Sequence, residues 1–435
     1  MTTRRYLVWF GVFGLSVLLS LWLTTGLGSV QSASSAQTDL FDAVWETVNE
    51  NFYDANFNGV DWSAAGTQYR QQVAQASTQP QKIDLINQML SELNTSHTHL
   101  FTANEPAYYQ LLGIFYPRSQ DLHSQLEETF PEGKIEYTGI GIVIQQKSKK
   151  TFVKAIFDGS PAAATDLKVG DEILSIEGQP FKHIESFAGK ADQSVSLQVQ
   201  PSLNPASQTE ITVTPRIYDG LTMFLEAMEE SVDIVEKAGK QIGYVHIWSY
   251  AGDQYQDSLE AALMFGRLKD TDALVLDLRE GWGGAPPTAL HIFTAEGPSV
   301  TNVGRDRPPF TYHSQWNKPV VLLINEGSRS AKEILAYGFK RYNIGPVVGT
   351  TTAGAVTAGR AFIMPDKSLL YVAVGDVYVD ETVRLEGIGV TPDVEVPFQV
   401  EYAQGTDPQK ERAIAIALQA LNSDEAPDTE PNIEQ

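Results

Sequence analysis

The stretch Leu323-Ile324-Asn325-Glu326-Gly327-Ser328-Arg329-Ser330-Ala331-Lys332-Glu333-Ile334 decides how this chain is read. Residues 319–324 form a short apolar run, the mark of a buried strand, and small and polar residues then make a turn. A helical pattern opens at Ser330 and runs to about residue 342. A strand, a turn and a helix in this order put a serine hydroxyl at a helix N-terminus. Free backbone N–H groups there can stabilise developing negative charge. The same Ser330-Ala331-Lys332-Glu333 segment also has the form of a capping box, in which serine caps the helix and glutamate reaches back. Nucleophile and cap are both open from these residues alone.

Working outward, the apolar runs 242–247, 273–278 and 346–348 alternate with helical patterns at 255–267 and 285–293. This alternation predicts an α/β unit over 217–404. Two flanking stretches stand out, Leu276-Asp277-Leu278-Arg279-Glu280-Gly281-Trp282-Gly283-Gly284 and Leu385-Glu386-Gly387-Ile388-Gly389-Val390-Thr391-Pro392-Asp393. Residues 369–374 and 376–379 are expected to form a hairpin around Gly375. Upstream, 136–216 has strand-like runs at 140–144, 151–156, 195–199 and 210–215, with a short helix at 160–164 opened by Pro161. Before that, 37–126 is expected to be helical, since Leu40, Val44, Val48 and Phe52 recur on one helix face. Residues 102–136 give no clear pattern and are left as a lid or linker. The segment 405–435 is expected to hold a helix and then an acidic, proline-containing disordered tail.

The chain has 435 residues and a formal net charge of −23, which excludes a basic nucleic-acid-binding surface. With no cysteine, disulfides, thiolate metal sites and a cysteine nucleophile are all excluded. Arg4 and Arg5 precede an apolar run from Tyr6 to about Leu23, and small residues follow. Segment 1–36 therefore has the pattern of an export signal, either cleaved or kept as a membrane anchor. The globular part is expected to work outside the cytoplasm.

Two resemblances follow from these motifs. The middle region resembles a PDZ domain, carried by Gly139-Ile140-Gly141-Ile142, Gly159-Ser160-Pro161-Ala162 and Leu167-Lys168-Val169-Gly170-Asp171-Glu172-Ile173-Leu174. The resemblance implies peptide capture by strand addition, with the N–H groups around Gly139, Ile140, Gly141 and Ile142 taking a terminal carboxylate. The third region resembles the core of the carboxyl-terminal processing peptidases and the related tricorn protease, through the three quoted motifs in that order. It implies a crotonase-like (ClpP-like) ββα core, preceded by a helical region and an inserted PDZ-like β domain. It makes Ser330 the nucleophile, and Ala331 with Gly283, next to Gly284, the oxyanion donors.

One departure matters. In the processing peptidases a lysine 25 residues after the serine acts as base, and here that position is Ala355. The tricorn-like branch instead uses a histidine preceded by serine and oriented by a glutamate. That resemblance implies Ser96 and His97 together with Glu386, the carboxylate fixing the imidazole tautomer from its far nitrogen. His99 is a rival, and Glu386 could instead pair with Arg384 or Arg360. No metal-binding spacing is present, and no cofactor or metal is expected. The expected function is an extracytoplasmic serine endopeptidase acting on polypeptides. Its rivals are an inactive PDZ-containing adaptor, or an enzyme using a relocated lysine such as Lys332 or Lys367. Substrate identity and oligomeric state stay open.

Overall fold

In the computed structural model the described residues are 40–294 and 296–424, so the export-signal segment and the acidic tail lie outside them. The N-terminal helices follow their apolar spacing. Helix Leu40–Asn51 buries Phe41, Val44 and Val48. Helix Trp62–Gln75 is capped by Asp61, whose carboxylate accepts from Ala64 N–H at 2.9 Å. Helix Gln79–Ser91 is capped by Thr78 and takes Pro80 in its first turn, where a missing N–H costs nothing. These helices close on the apolar face of strand Leu369–Gly375, around Leu370 and Val372.

That strand is the middle of a three-stranded sheet, between His99–Phe101 and Ala358–Ile363. The expected hairpin around Gly375 is therefore not formed. Strand Leu369–Gly375 pairs back to Ala358–Ile363, while Tyr378–Val379 pairs with Val383–Arg384. Local alternation gave the strands but not their partners, because both pairings span intervening turns. Residues 102–136, without a pattern in sequence, form helices Pro106–Phe115 and Gln120–Leu126.

The middle region holds a five-stranded antiparallel sheet in the order Ile142–Lys147, Lys150–Ile156, Glu172–Ile176, Val195–Gln200, Thr209–Val213. Ile142–Lys147 is an edge strand. The helix expected at 160–164 is only a turn. The core sheet has six strands, in the order Val394–Glu395, Val347–Gly349, Val320–Ile324, Ala273–Asp277, Lys240–His246, Asp233–Lys237. All neighbours are parallel except the last pair. The C-terminal helix Pro408–Asp424 covers one face, through Ala413 and Ala417. Helices Asp253–Met264 and Ala331–Arg341 cover the other. The helix expected at 285–293 is broken into two short pieces, Pro287–Leu290 and His291–Thr294, since Pro286 and Pro287 supply no N–H to an α-helical ladder. The parallel order puts the C-terminal strand ends, and the Gly281–Gly284 and Gly327–Ser330 loops, at one edge, where open α/β sheets bind ligands.

Candidate active site

Ser330 follows strand Val320–Ile324 and sits at φ 60°, ψ −136°, a conformation rarely adopted outside glycine. It precedes helix Ala331–Arg341, yet its side chain makes no capping hydrogen bond. The cap reading of the hydroxyl therefore fails. The turn is held by backbone contacts instead. Ser330 N–H donates to Ala355 O at 2.8 Å, and the Glu333 carboxylate accepts from Ala355 N–H at 2.7 Å and Gly354 N–H at 2.8 Å. Glu333 thus pins the segment where the processing peptidases carry their lysine. A sharp strand-to-helix turn of this kind presents a serine hydroxyl outward.

The Gly281–Gly284 loop comes up against this serine. A Cβ on Gly283 would lie 2.3 Å from Ser330 Cβ, so only glycine allows the approach. Among the described residues, the N–H groups of Gly283, Gly284 and Ala331 donate to no protein acceptor. From beneath, the buried Lys332 ammonium donates to Glu280 O at 2.8 Å and Trp248 O at 3.1 Å. Burial lowers this lysine to about 7. Farther back, Arg279 brackets Asp277, with Nη2 at 2.6 Å. Burial opposes the charge on Asp277, but Arg279 outweighs it and holds the carboxyl well below the usual range.

His97 arrives from far away in sequence. It precedes strand His99–Phe101, whose pairing with Leu369–Tyr371 fixes its position, and its ring tilts against Tyr371 with centroids 5.2 Å apart. Burial, with a contribution from Arg329, lowers its imidazole to about 4, so it is neutral at pH 7. Ser96 Oγ lies 2.6 Å from His97 Nδ1 and donates to Glu386 Oε2 at 2.9 Å. The expected direct contact from Glu386 to the imidazole is thus corrected, because a hydroxyl stands between them. All the partners of Glu386 are donors, including Ser96 N–H at 2.8 Å and Val356 N–H at 2.5 Å. The single Ser96 proton therefore goes to the carboxylate, and its oxygen is left to accept from Nδ1–H. Nε2 is then the free acceptor.

Ser330, His97, Gly283, Gly284 and Ala331 line one cavity of about 420 Å³. His99 does not line it and packs on Phe101 instead. Within this arrangement no hydrogen bond joins His97 to Ser330. Arg384 bonds Asp376 and Arg360 faces Asp121, so neither neutralises the Glu386 carboxylate. Lys332 is engaged under the loop, and Lys367 Nζ donates to Gln125 O at 3.1 Å, so neither lysine serves Ser330. Sequence reasoning missed one wall of the cavity, formed by Leu111, Ile114 and Phe115 on helix Pro106–Phe115. The spacing Tyr108, Leu111, Leu112, Phe115 was a helical signal available for it. In the five-stranded region, Gly141 sits at φ 79°. A Cβ there would lie 2.3 Å from the Tyr218 hydroxyl and 2.4 Å from Ser160 Cβ, so this glycine is also required by packing.

Comparison with known proteins assigns the fold to a class. Residues 241–396 match Peptidase family S41, residues 37–91 the Tricorn protease C1 domain, and residues 129–199 the PDZ domain. Over residues 241–396 the chain is thus similar to the S41 peptidases, a family of serine hydrolases, and over residues 129–199 to a PDZ domain. It is 26% identical over 416 residues to tricorn protease homolog 1 of Streptomyces coelicolor, covering 92% of this chain but 37% of that protein. It is 24% identical over 421 residues to a carboxyl-terminal-processing protease of Synechocystis, covering 93% of this chain and 91% of that one. The chain thus spans about a third of the tricorn homologues it matches, and nearly the whole of the cyanobacterial protease. The crystal structure of the tricorn protease shares its fold, with a TM-score of 0.54, 19% identity, and coverage of 89% of this chain and 37% of that one.

Proposed function

We propose that this protein is an extracytoplasmic serine endopeptidase in which Ser330 attacks, His97 is the general base, and Ser96 and Glu386 orient it. Gly283 and Ala331 N–H groups hold the oxyanion, with Gly284 shaping the loop. The observation that carries this reading is the chain of hydrogen bonds Glu386–Ser96–His97, which leaves a neutral Nε2 in the same cavity as Ser330. A base with a lowered proton affinity still accepts from an attacking hydroxyl and returns the proton to the leaving amine. An acyl-enzyme forms and water releases it. The outer edge of strand Ile142–Lys147, which pairs with no further strand among the described residues, supports capture of an extended polypeptide by strand addition, beside Gly139, Ile140 and Gly141. The basic, apolar and small-residue order of segment 1–36 supports export, with cleavage or tethering both compatible.

The test is degradation of an unstructured polypeptide such as casein by the purified chain lacking segment 1–36. Ser330→Ala and His97→Ala are expected to abolish cleavage while peptide binding persists. Undiminished cleavage by Ser330→Ala protein would sink the proposal.

A further inference from the structure

The catalytic cavity holds polar groups that the proposed chemistry does not use. Arg329 immediately precedes Ser330 and lines the cavity, with its guanidinium over the Trp282 ring, 5.2 Å from the centroid. Its Nε is buried and has no hydrogen-bond partner. Thr357, 4% exposed, lines the same cavity, and its Oγ1 is likewise buried and unpartnered. Arg118 stands at the rim. Among the described residues, neither arginine makes an ion pair with an acidic side chain. The other ionisable groups in the lining are His97, the phenols of Tyr250 and Tyr371, and a single acid, Asp253.

Two uncompensated guanidinium groups in a chain of net charge −23 call for an explanation. A guanidinium stays charged at any working pH, and buried donors without partners are costly unless a ligand satisfies them. The cation–π contact with Trp282 holds the Arg329 guanidinium in the cavity wall, and its unpartnered Nε–H is a donor that a carboxylate can satisfy. The Thr357 hydroxyl, in the lining of the same cavity, adds a neutral donor.

We propose that Arg329 and Thr357 form a carboxylate-binding subsite inside the catalytic cavity, with Arg118 as an outer charge, so that the enzyme prefers polypeptides bearing a carboxylate close to the scissile bond. The group is either an acidic side chain or the free C-terminal carboxylate of the substrate. This rests on the reading of the cavity as the place of cleavage. Because Arg329 also helps depress the basicity of His97, after burial, a bound carboxylate would relieve that effect and strengthen the base.

The test measures binding in the catalytically dead Ser330→Ala chain, by fluorescence anisotropy with labelled peptides. Four versions of one peptide are compared: with a central aspartate and free C-terminus, with Asp changed to Asn, with an amidated C-terminus, and with both changes. The doubly neutral peptide is expected to bind about tenfold or more weakly. The single change that reproduces the loss with Arg329 present, and loses its effect in Arg329→Gln protein, identifies the source of the carboxylate, since the PDZ edge also takes a free C-terminus. Arg329→Gln should remove the part of the preference that the cavity supplies, leaving only what the PDZ edge contributes for a free C-terminus, and Arg329→Lys should retain part of it. Equal binding of the four peptides with Arg329 intact, or an undiminished preference in Arg329→Gln, overturns the proposal. Serine labelling with a fluorophosphonate, run separately on the Ser330 protein, keeps the two claims apart. Failure to label with a carboxylate preference present would remove the nucleophile and leave the subsite.

Discussion

Replacing Ser96 by alanine isolates the link between Glu386 and His97. The substitution removes the acceptor at 2.6 Å from Nδ1 and leaves a ring N–H facing no partner in a buried position. The backbone should not move, because Ser96 N–H still donates to Glu386 Oε1 at 2.8 Å, and Thr98 Oγ1 still accepts from Ala373 N–H. An unsatisfied buried donor costs about 1–3 kcal/mol. The cost falls on the imidazolium-like transition state at least as heavily, since the proton on Nδ1 then has no oxygen to share it. At about 1.4 kcal/mol per decade this is a loss of roughly 10- to 100-fold in kcat. Ser96 does not line the cavity, so KM should hold. Initial rates on an internally quenched peptide measure both constants, and Ser96→Thr, which keeps the hydroxyl, should restore most of kcat. A Ser96→Ala enzyme with kcat within about twofold of the parent, or an effect confined to KM, refutes the hydroxyl-bridged orientation.

Further outcomes follow from the same geometry. The acid limb of kcat/KM should fall near pH 4, because the base must be neutral to act and burial with Arg329 lowers His97 to about 4; a limb at the ordinary imidazole value would contradict the buried setting. Gly283→Ala places a methyl 2.3 Å from Ser330 Cβ and displaces an oxyanion donor; a loss of about 100- to 1000-fold in kcat is expected, with rates close to the parent as the contrary result. Arg279→Ala strands the buried Asp277 carboxylate and should cost about 3–5 kcal/mol by denaturant unfolding. A change under about 1 kcal/mol would mean that the pair is not the support it is taken to be.

How far sequence carries depends on the range of the interaction. Strand, turn and helix around Ser330 were legible because each follows from residues within a few positions. The PDZ and S41 assignments rested on such local motifs and agree with the matched regions. The cap against nucleophile choice was not legible, since it turns on a φ of 60° held by Ala355 from another loop, itself pinned by Glu333 on the helix that follows Ser330. The Ser96 bridge was half legible: the residue was singled out, but its place between imidazole and carboxylate depends on two strands separated by most of the chain. The Gly375 hairpin failed because alternation predicts a strand's faces and not its neighbours. Arg329 looked like an ordinary turn residue, as only the missing partner in three dimensions marks it.

The central claim is that Ser330 is activated by His97, and intact-protein mass after exposure to a fluorophosphonate tests it most directly, with His97→Ala alongside. The account predicts one adduct, mapped to Ser330 by peptide digestion and lost in His97→Ala protein that retains its fold. An adduct of undiminished yield without His97, or none on the folded parent protein, would contradict it.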